Sequence, residues 1–264
     1  MADFTVFYSW QSDLPRRKSR DVIHDALVLA ISDLSLSVDV SDSPRIDHDT
    51  KDISGAPEIA ATIFNKIDNC GIFVADLTFI GKSEREGRPA KLLPNPNVLL
   101  ELGYASAKIG WDRIILVMNS YYGAPDELIF DLRHRRHPII FSRGDDPQIS
   151  FNDTIKSLSN DIRYALTYAM QAEHTAVENV IGQLDSHSLV WIQSVKQDGF
   201  SVPERTTMGE ILGHQRIDDA LIRLIQLKLL RCDVNASEGL HGYHWTYLGR
   251  LVKRRLGVLP SVTE

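Results

Sequence analysis

The period of the apolar positions changes repeatedly along this chain. Residues 5–8 (Thr-Val-Phe-Tyr) form a short apolar run that stops at Ser9-Trp10-Gln11-Ser12-Asp13-Leu14-Pro15, which predicts a buried strand delivering a polar loop. From 17 to 34, Val22, Ile23, Ala26, Leu27, Ala30 and Leu34 recur at three- and four-residue spacing, as on an amphipathic helix. Residues 38–40 read as a weak second strand, and the polar run 42–55 as a long loop. Pro57 suits a first helical turn, and Ile59, Ile63 and Ile67 then share one stripe as far as about residue 69. An uninterrupted apolar pentad, 71–75, ends in Asp76, the pattern of a parallel strand covered on both faces. Residues 80–92 are charged and read as a surface loop. Pro94-Asn95-Pro96-Asn97 leads into a helix over 98–109, and 113–119 and 138–141 predict two more strands.

This strand and helix alternation implies an open, mainly parallel sheet with helices on both faces, whose ligands bind at the carboxyl ends of the strands. The pattern divides the chain into an α/β domain over 1–150, a linking helix over 151–175 and a C-terminal domain over 176–264. In the last, helices are expected at 177–195, 208–212 and 216–230. A two-stranded hairpin follows over 232–246, and a short basic helix over 248–256. Three helices and a hairpin make a winged helix. No repeat of solenoid or propeller period is present.

Composition narrows the class. With 43% hydrophobic and 24% charged residues the chain is ordinary globular protein, and no long uncharged apolar run or leader pattern suggests a membrane or export. A cytoplasmic protein is expected. Cys70 and Cys232 lie far apart in apolar surroundings and read as small core residues, and the nine histidines make no zinc spacing, so no metal is expected. Neither cysteine sits beside a credible base, and Gly-x-Ser-x-Gly is missing.

Glu101 carries the most promising chemistry. On the third helix Asn97, Glu101, Tyr104 and Lys108 share one face, while Val98, Leu102, Ala105 and Ile109 share another. The plain alternative is an exposed glutamate paired with Lys108. Against it, Asn95 and Asn97 bracket the helix start and Gly103 leaves room beside the carboxylate, at the sheet edge where a site is expected. Asp131, Arg133, Arg135 and Arg136, before the last strand, read as a solvated charge cluster.

Five segments in order, Thr-Val-Phe-Tyr-Ser-Trp, Ile-Ser-Gly-Ala-Pro-Glu-Ile, Gly-Ile-Phe-Val-Ala-Asp-Leu-Thr, Asn-Pro-Asn-Val-Leu-Leu-Glu-Leu-Gly-Tyr-Ala and Arg-Ile-Ile-Leu-Val, resemble Toll/interleukin-1 receptor (TIR) domains, most of all the bacterial anti-phage effectors. The resemblance covers about residues 4–142. It implies a flavodoxin-like parallel five-stranded sheet with helices on both faces, and cleavage of the nicotinamide-ribose bond of NAD, the substrate and not a cofactor. Glu101 takes the position of the family's catalytic glutamate. Ser9, Trp10, Gln11, Asp76, Asn97 and Tyr104 become candidate substrate contacts, although the basic residues that many members carry in the loop of Ser9 to Gln11 are missing. Asp76 has a second reading, the capping of a neighbouring backbone. Residues 47–58, with Gly55 and Glu58, match the loop that packs on the next subunit in TIR assemblies, so a homo-oligomer or a partner-induced assembly is expected.

Two other classes stay open: a non-enzymatic nucleotide sensor or scaffold, and a nucleoside deoxyribosyltransferase-like enzyme. The C-terminal domain adds a further question. Arg216, Arg223, Lys228 and Arg231, with Arg250, Lys253, Arg254 and Arg255, would suit a phosphate backbone. However, Lys plus Arg and Asp plus Glu each number 10 from Thr175 onward, and Asp218 and Asp219 stand where base-reading residues normally lie. That balance favours a module for docking a partner over a DNA reader.

Overall fold

The computed structural model describes residues 5–37, 45–47, 59–84, 86–87, 89–133, 137–195, 199–203, 214–235 and 240–258. It divides into two compact units, Asp3–Ala172 and Glu173–Glu264, with the division inside one helix, Phe151–Ile181.

The first unit is α/β. Its parallel sheet runs in the order β2 (Arg45–Asp47), β1 (Thr5–Ser9), β3 (Ile72–Asp76), β6 (Ile114–Asn119) and β7 (Ile139–Phe141). Taken over these strands alone, the order is 2-1-3-4-5, compatible with a flavodoxin-like fold, and the chain switches direction across the sheet between β1 and β3. Every residue of β3 and β6 is buried, which explains their unbroken apolar runs.

Alternation along the strands sorts side chains to two faces. On one face Val6, Tyr8, Ile72, Val74, Ile115 and Val117 pack against α1 (Arg20–Ser37) and the first part of α5 (Phe151–Ile181). On the other, Phe7, Phe73, Ala75, Leu116 and Met118 meet α2 (Ile59–Asn69) and α3 (Pro96–Lys108). Phe7 and Phe73 are register partners across β1 and β3, with ring centroids 5.8 Å apart and planes within 14°. Gly110, at φ 81°, turns the chain out of α3 toward β6 in a conformation that disfavours any side chain.

The structure corrects several sequence expectations. Residues 45–47, inside the run expected to be loop, pair in parallel with β1. Residues 80–92 are not simply a surface loop: β4 (Phe79–Ser83) and β5 (Lys91–Pro94) form an antiparallel hairpin. The short four-residue helix α4 (Phe130–Arg133) precedes β7, and Arg133 is exposed beside Phe130. Residues 38–40, Pro57, Arg135 and Arg136 lie outside the described residues.

The second unit opens on the end of α5. A helix expected unbroken over 177–195 is two: α5 ends at Ile181, and α6 (Ser186–Ser194) starts where the Asp185 carboxylate accepts from Ser188 N at 2.7 Å. That bond holds the Asp185 carboxyl below the usual range. A strand the sequence did not suggest, β8 (Gly199–Pro203), joins β10 (Leu240–Trp245) and β9 (Leu230–Asn235) in an antiparallel sheet of order β8-β10-β9. α7 (His214–Gln226) precedes β9, and α8 (Tyr247–Arg255) follows β10. Trp191, Ile192, Leu221, Leu224, Trp245 and Val252 make its core. The helix expected at 208–212 lies outside the described residues. No described helix is long and apolar enough to cross a membrane.

Candidate functional site

The site grows from the carboxyl ends of β1 and β3, where the strand order reverses. Ser9, the last residue of β1, faces the same side of the sheet as Phe7, toward α3. α3 starts sharply: Pro96 occupies its first turn, and the Asn95 side chain accepts from Asn97 N at 2.8 Å and Val98 N at 3.2 Å. Val98, Leu102 and Ala105 bury one stripe of the helix, leaving Glu101 half-buried at its flank. There the Ser9 hydroxyl donates to Glu101 Oε2 at 2.5 Å, across 92 residues of sequence. That bond orients the Glu101 carboxyl group toward the end of β1.

A second polar group lies on the other side of the same edge. Asp76, fully buried at the end of β3, accepts from the Ser19 hydroxyl, from Thr78 N at 3.0 Å and from Gln11 Nε2 at 3.5 Å. Burial raises its carboxyl above the ordinary value, and the Ser19, Thr78 and Gln11 hydrogen bonds oppose that rise. Gln11 is itself buried. Its amide nitrogen donates to Ser19 Oγ at 3.0 Å and its oxygen accepts from Asp13 N at 2.7 Å and Leu14 N at 3.0 Å, folding the loop after β1 back on itself.

The sequence-nominated contacts therefore separate. Ser9 and Glu101 meet. Asn97 is exposed on α3, one turn before Glu101. Trp10 turns to the α1 and α5 face, where its ring packs on the core and carries the Arg20 guanidinium 3.7 Å from its centroid. Tyr104 turns to α2 instead: its hydroxyl donates to Asp68 Oδ1 at 2.9 Å and its ring stacks on Phe64 at 4.3 Å, with Lys108 above it. Gln11 and Asp76 are closed inside the loop they organise, and Asp76 bonds the Thr78 backbone. A Cβ on Gly103 would meet nothing within 4 Å, so no close approach inside this chain requires glycine there. Gly55 and Glu58 lie outside the described residues.

Sequence reasoning missed Ser19, Thr78 and above all Asn119. Fully buried at the end of β6, the Asn119 amide donates to Lys18 O at 2.7 Å and Arg143 O at 2.8 Å, and its oxygen accepts from Arg143 N at 3.0 Å and Tyr121 N at 3.1 Å. Its backbone N donates to Thr78 Oγ1 at 2.9 Å. One residue thus ties the loops that follow β1, β3, β6 and β7. The available signal was a polar residue closing an apolar strand, the same one that picked out Asp76.

Among the described residues no group of three or more His, Cys, Asp or Glu is placed to hold a metal ion. No protein-family model matches the chain, and no curated protein matches it in sequence.

The buried Asp76 carries a pH prediction. Its folded-state value lies above the ordinary 3.8, so the native chain keeps a proton that the unfolded chain releases; this stabilising contribution is present below pH 3.8 and is lost as pH rises through the raised value. Asp76→Asn has no such titration. Melting temperatures measured in parallel should shift in favour of the variant as pH rises across that interval, and a wild-type minus variant difference that is flat or moves the other way contradicts the assignment.

Proposed function

We propose that the first unit is a TIR-like domain that hydrolyses the nicotinamide-ribose bond of NAD, with Glu101 as the catalytic residue, acting in anti-phage defence and activated by assembly. The observation that carries this is the Ser9 to Glu101 hydrogen bond at the strand-order switch point, where an α/β sheet of this order binds its ligand. The chemistry asks little of the protein. Nicotinamide leaves NAD as a neutral molecule from a cationic ring, so the reaction needs no general acid, unlike ordinary glycoside hydrolysis with its two carboxylates. What must be stabilised is the ribosyl cation, and a single oriented carboxylate does that electrostatically. Ser9 aims the carboxylate, and exposed Asn97 offers a neighbouring amide to the nucleotide.

The test is release of nicotinamide from NAD by the intact chain, followed by chromatography from dilute to concentrated protein. Turnover whose specific rate rises with concentration supports a hydrolase completed by assembly. No nicotinamide release at any concentration, with or without crowding agents, overturns the reading, and base release from a deoxynucleoside in its place identifies the transferase class instead.

We read the second unit as a winged helix: α6, β8, α7, β9 and β10 come in an order compatible with that fold, whose remaining helix is the one expected at 208–212, outside the described residues, and β10 lies between β8 and β9. Its cations support docking over DNA reading. Lys253 is fully buried, its ammonium donating to Val195 O at 2.6 Å beneath the Trp245 ring. Arg250 donates to Trp245 O at 2.9 Å, Arg255 pairs with Glu178, and Arg223 bonds Gln183 O, while Ile222 and Ile225 are exposed on α7. The full chain should therefore bind mixed-sequence duplex weakly even at low salt. Micromolar or tighter binding that is lost on replacing Arg254 and Arg231 with Ala contradicts this.

A further inference from the structure

We propose that Asp13 and Asn95 form a positioning clamp that joins the loop after β1 to the start of α3 and thereby sets Glu101 against Ser9, a role that rests on the hydrolase reading above. Asn95 uses both ends of its amide. Its oxygen caps α3 through Asn97 N and Val98 N, and its nitrogen donates to Asp13 Oδ2 at 2.8 Å. Asp13 is not a drifting partner, because its own backbone N, with that of Leu14, is bonded to the oxygen of buried Gln11, which is anchored on Ser19 and Asp76. The bridge therefore runs from the buried end of β3, through the β1 loop, to the first turn of the helix that carries Glu101.

Two side-chain bridges now connect the end of β1 to α3: Ser9 to Glu101 and Asp13 to Asn95. Core packing of Val98, Leu102 and Ala105 presses α3 onto the sheet, but apolar contacts are non-directional. Directional bonds at two points along the helix fix its slide and rotation relative to Ser9 as well. Asp13 is exposed and Asn95 only half-buried, so their bond adds little to stability. Its influence is geometric: a displacement of about 1 Å at a reacting group can cost on the order of a hundredfold in rate.

Exchanging the two residues separates clamp from cap. In Asn95→Asp the cap oxygen survives, but the amide donor is replaced by a second carboxylate facing Asp13. Asp13→Asn alone keeps an acceptor for Asn95. In the double variant the bond re-forms with donor and acceptor reversed. With the full-length chain and NAD, Asp13→Asn should stay within about threefold of wild type. Asn95→Asp should lose about tenfold in kcat, with KM and melting temperature little changed, and the double variant should return to within about threefold of wild type.

Hydrogen exchange gives a readout that needs no substrate. The Asp13 and Leu14 amides should exchange faster in Asn95→Asp and recover in the double variant. If the wild type turns over NAD and Asn95→Asp keeps its kcat, or the double variant fails to recover, the clamp is refuted. If exchange follows the expected pattern but the wild type releases no nicotinamide, the coupling stands and the hydrolase reading falls.

Discussion

Glu101→Gln should lower NAD turnover by at least about a hundredfold, equivalent to about 2.7 kcal/mol of lost transition-state stabilisation. The substitution is conservative for the fold. Glutamine keeps the length of the side chain, its amide oxygen still accepts from the Ser9 hydroxyl, and the helix remains anchored by Val98, Leu102 and Ala105. The negative charge is lost, and on the proposed reading that is the charge set against the developing ribosyl cation. KM should move little, because the interaction is made chiefly as the glycosidic bond breaks. Ser9→Ala makes an informative contrast: the charge remains but nothing aims it, so a smaller loss, about tenfold, is expected. Nicotinamide release measured by chromatography, with circular dichroism to establish folding, decides the matter. A folded Gln variant that retains more than about a tenth of wild-type activity removes Glu101 from the catalytic role.

Burial on both faces explains which parts of this architecture were legible in the sequence. β3 and β6 are covered on both sides, so every position before the closing Asp76 and Asn119 is apolar and the strands stand out. β2 has one apolar residue in three, Ile46, and is held by backbone pairing to β1, which no side-chain pattern reports. The β4 and β5 hairpin pairs half-exposed strands carrying Lys82 and Lys91, so charge outweighed pairing in the sequence pattern. The break between α5 and α6 was signalled by Gly182 and Asp185, yet apolar residues continue at helical spacing on both sides and hide it.

At the site the helical period was informative only to a point. It placed Glu101 and Tyr104 on one face, but three residues on leaves a side chain about 60° short of the same direction. That rotation is enough to send Tyr104 to Asp68 on α2. The Ser9 partnership spans 92 residues and leaves no local signature. Gln11 follows β1, in the loop where the resemblance implies nucleotide contacts, and there its buried amide satisfies both of its ends within the loop, which no local pattern reports.

Asn119→Ala should produce the largest loss of stability of any single polar substitution in the first unit. The side chain makes four hydrogen bonds, to Lys18 O, Arg143 O, Tyr121 N and Arg143 N, from a fully buried position. Alanine removes all four at once and leaves those part-buried backbone groups without their partner, at a cost of up to about 1–3 kcal/mol for each that water does not reach. Local rearrangement recovers part of that, so a net loss of about 3–5 kcal/mol is expected. Asn119→Asp should be no better than alanine, because it places an acceptor against the Lys18 and Arg143 carbonyls that now receive donors. The measurement is urea unfolding of the full-length chain followed through the first unit: the midpoint should fall with the slope unchanged, the sign of lost stability in an otherwise intact native state. A loss below about 1 kcal/mol would mean that the loops after β1, β6 and β7 are held by their own contacts, and that Asn119 fills the space between them without joining them.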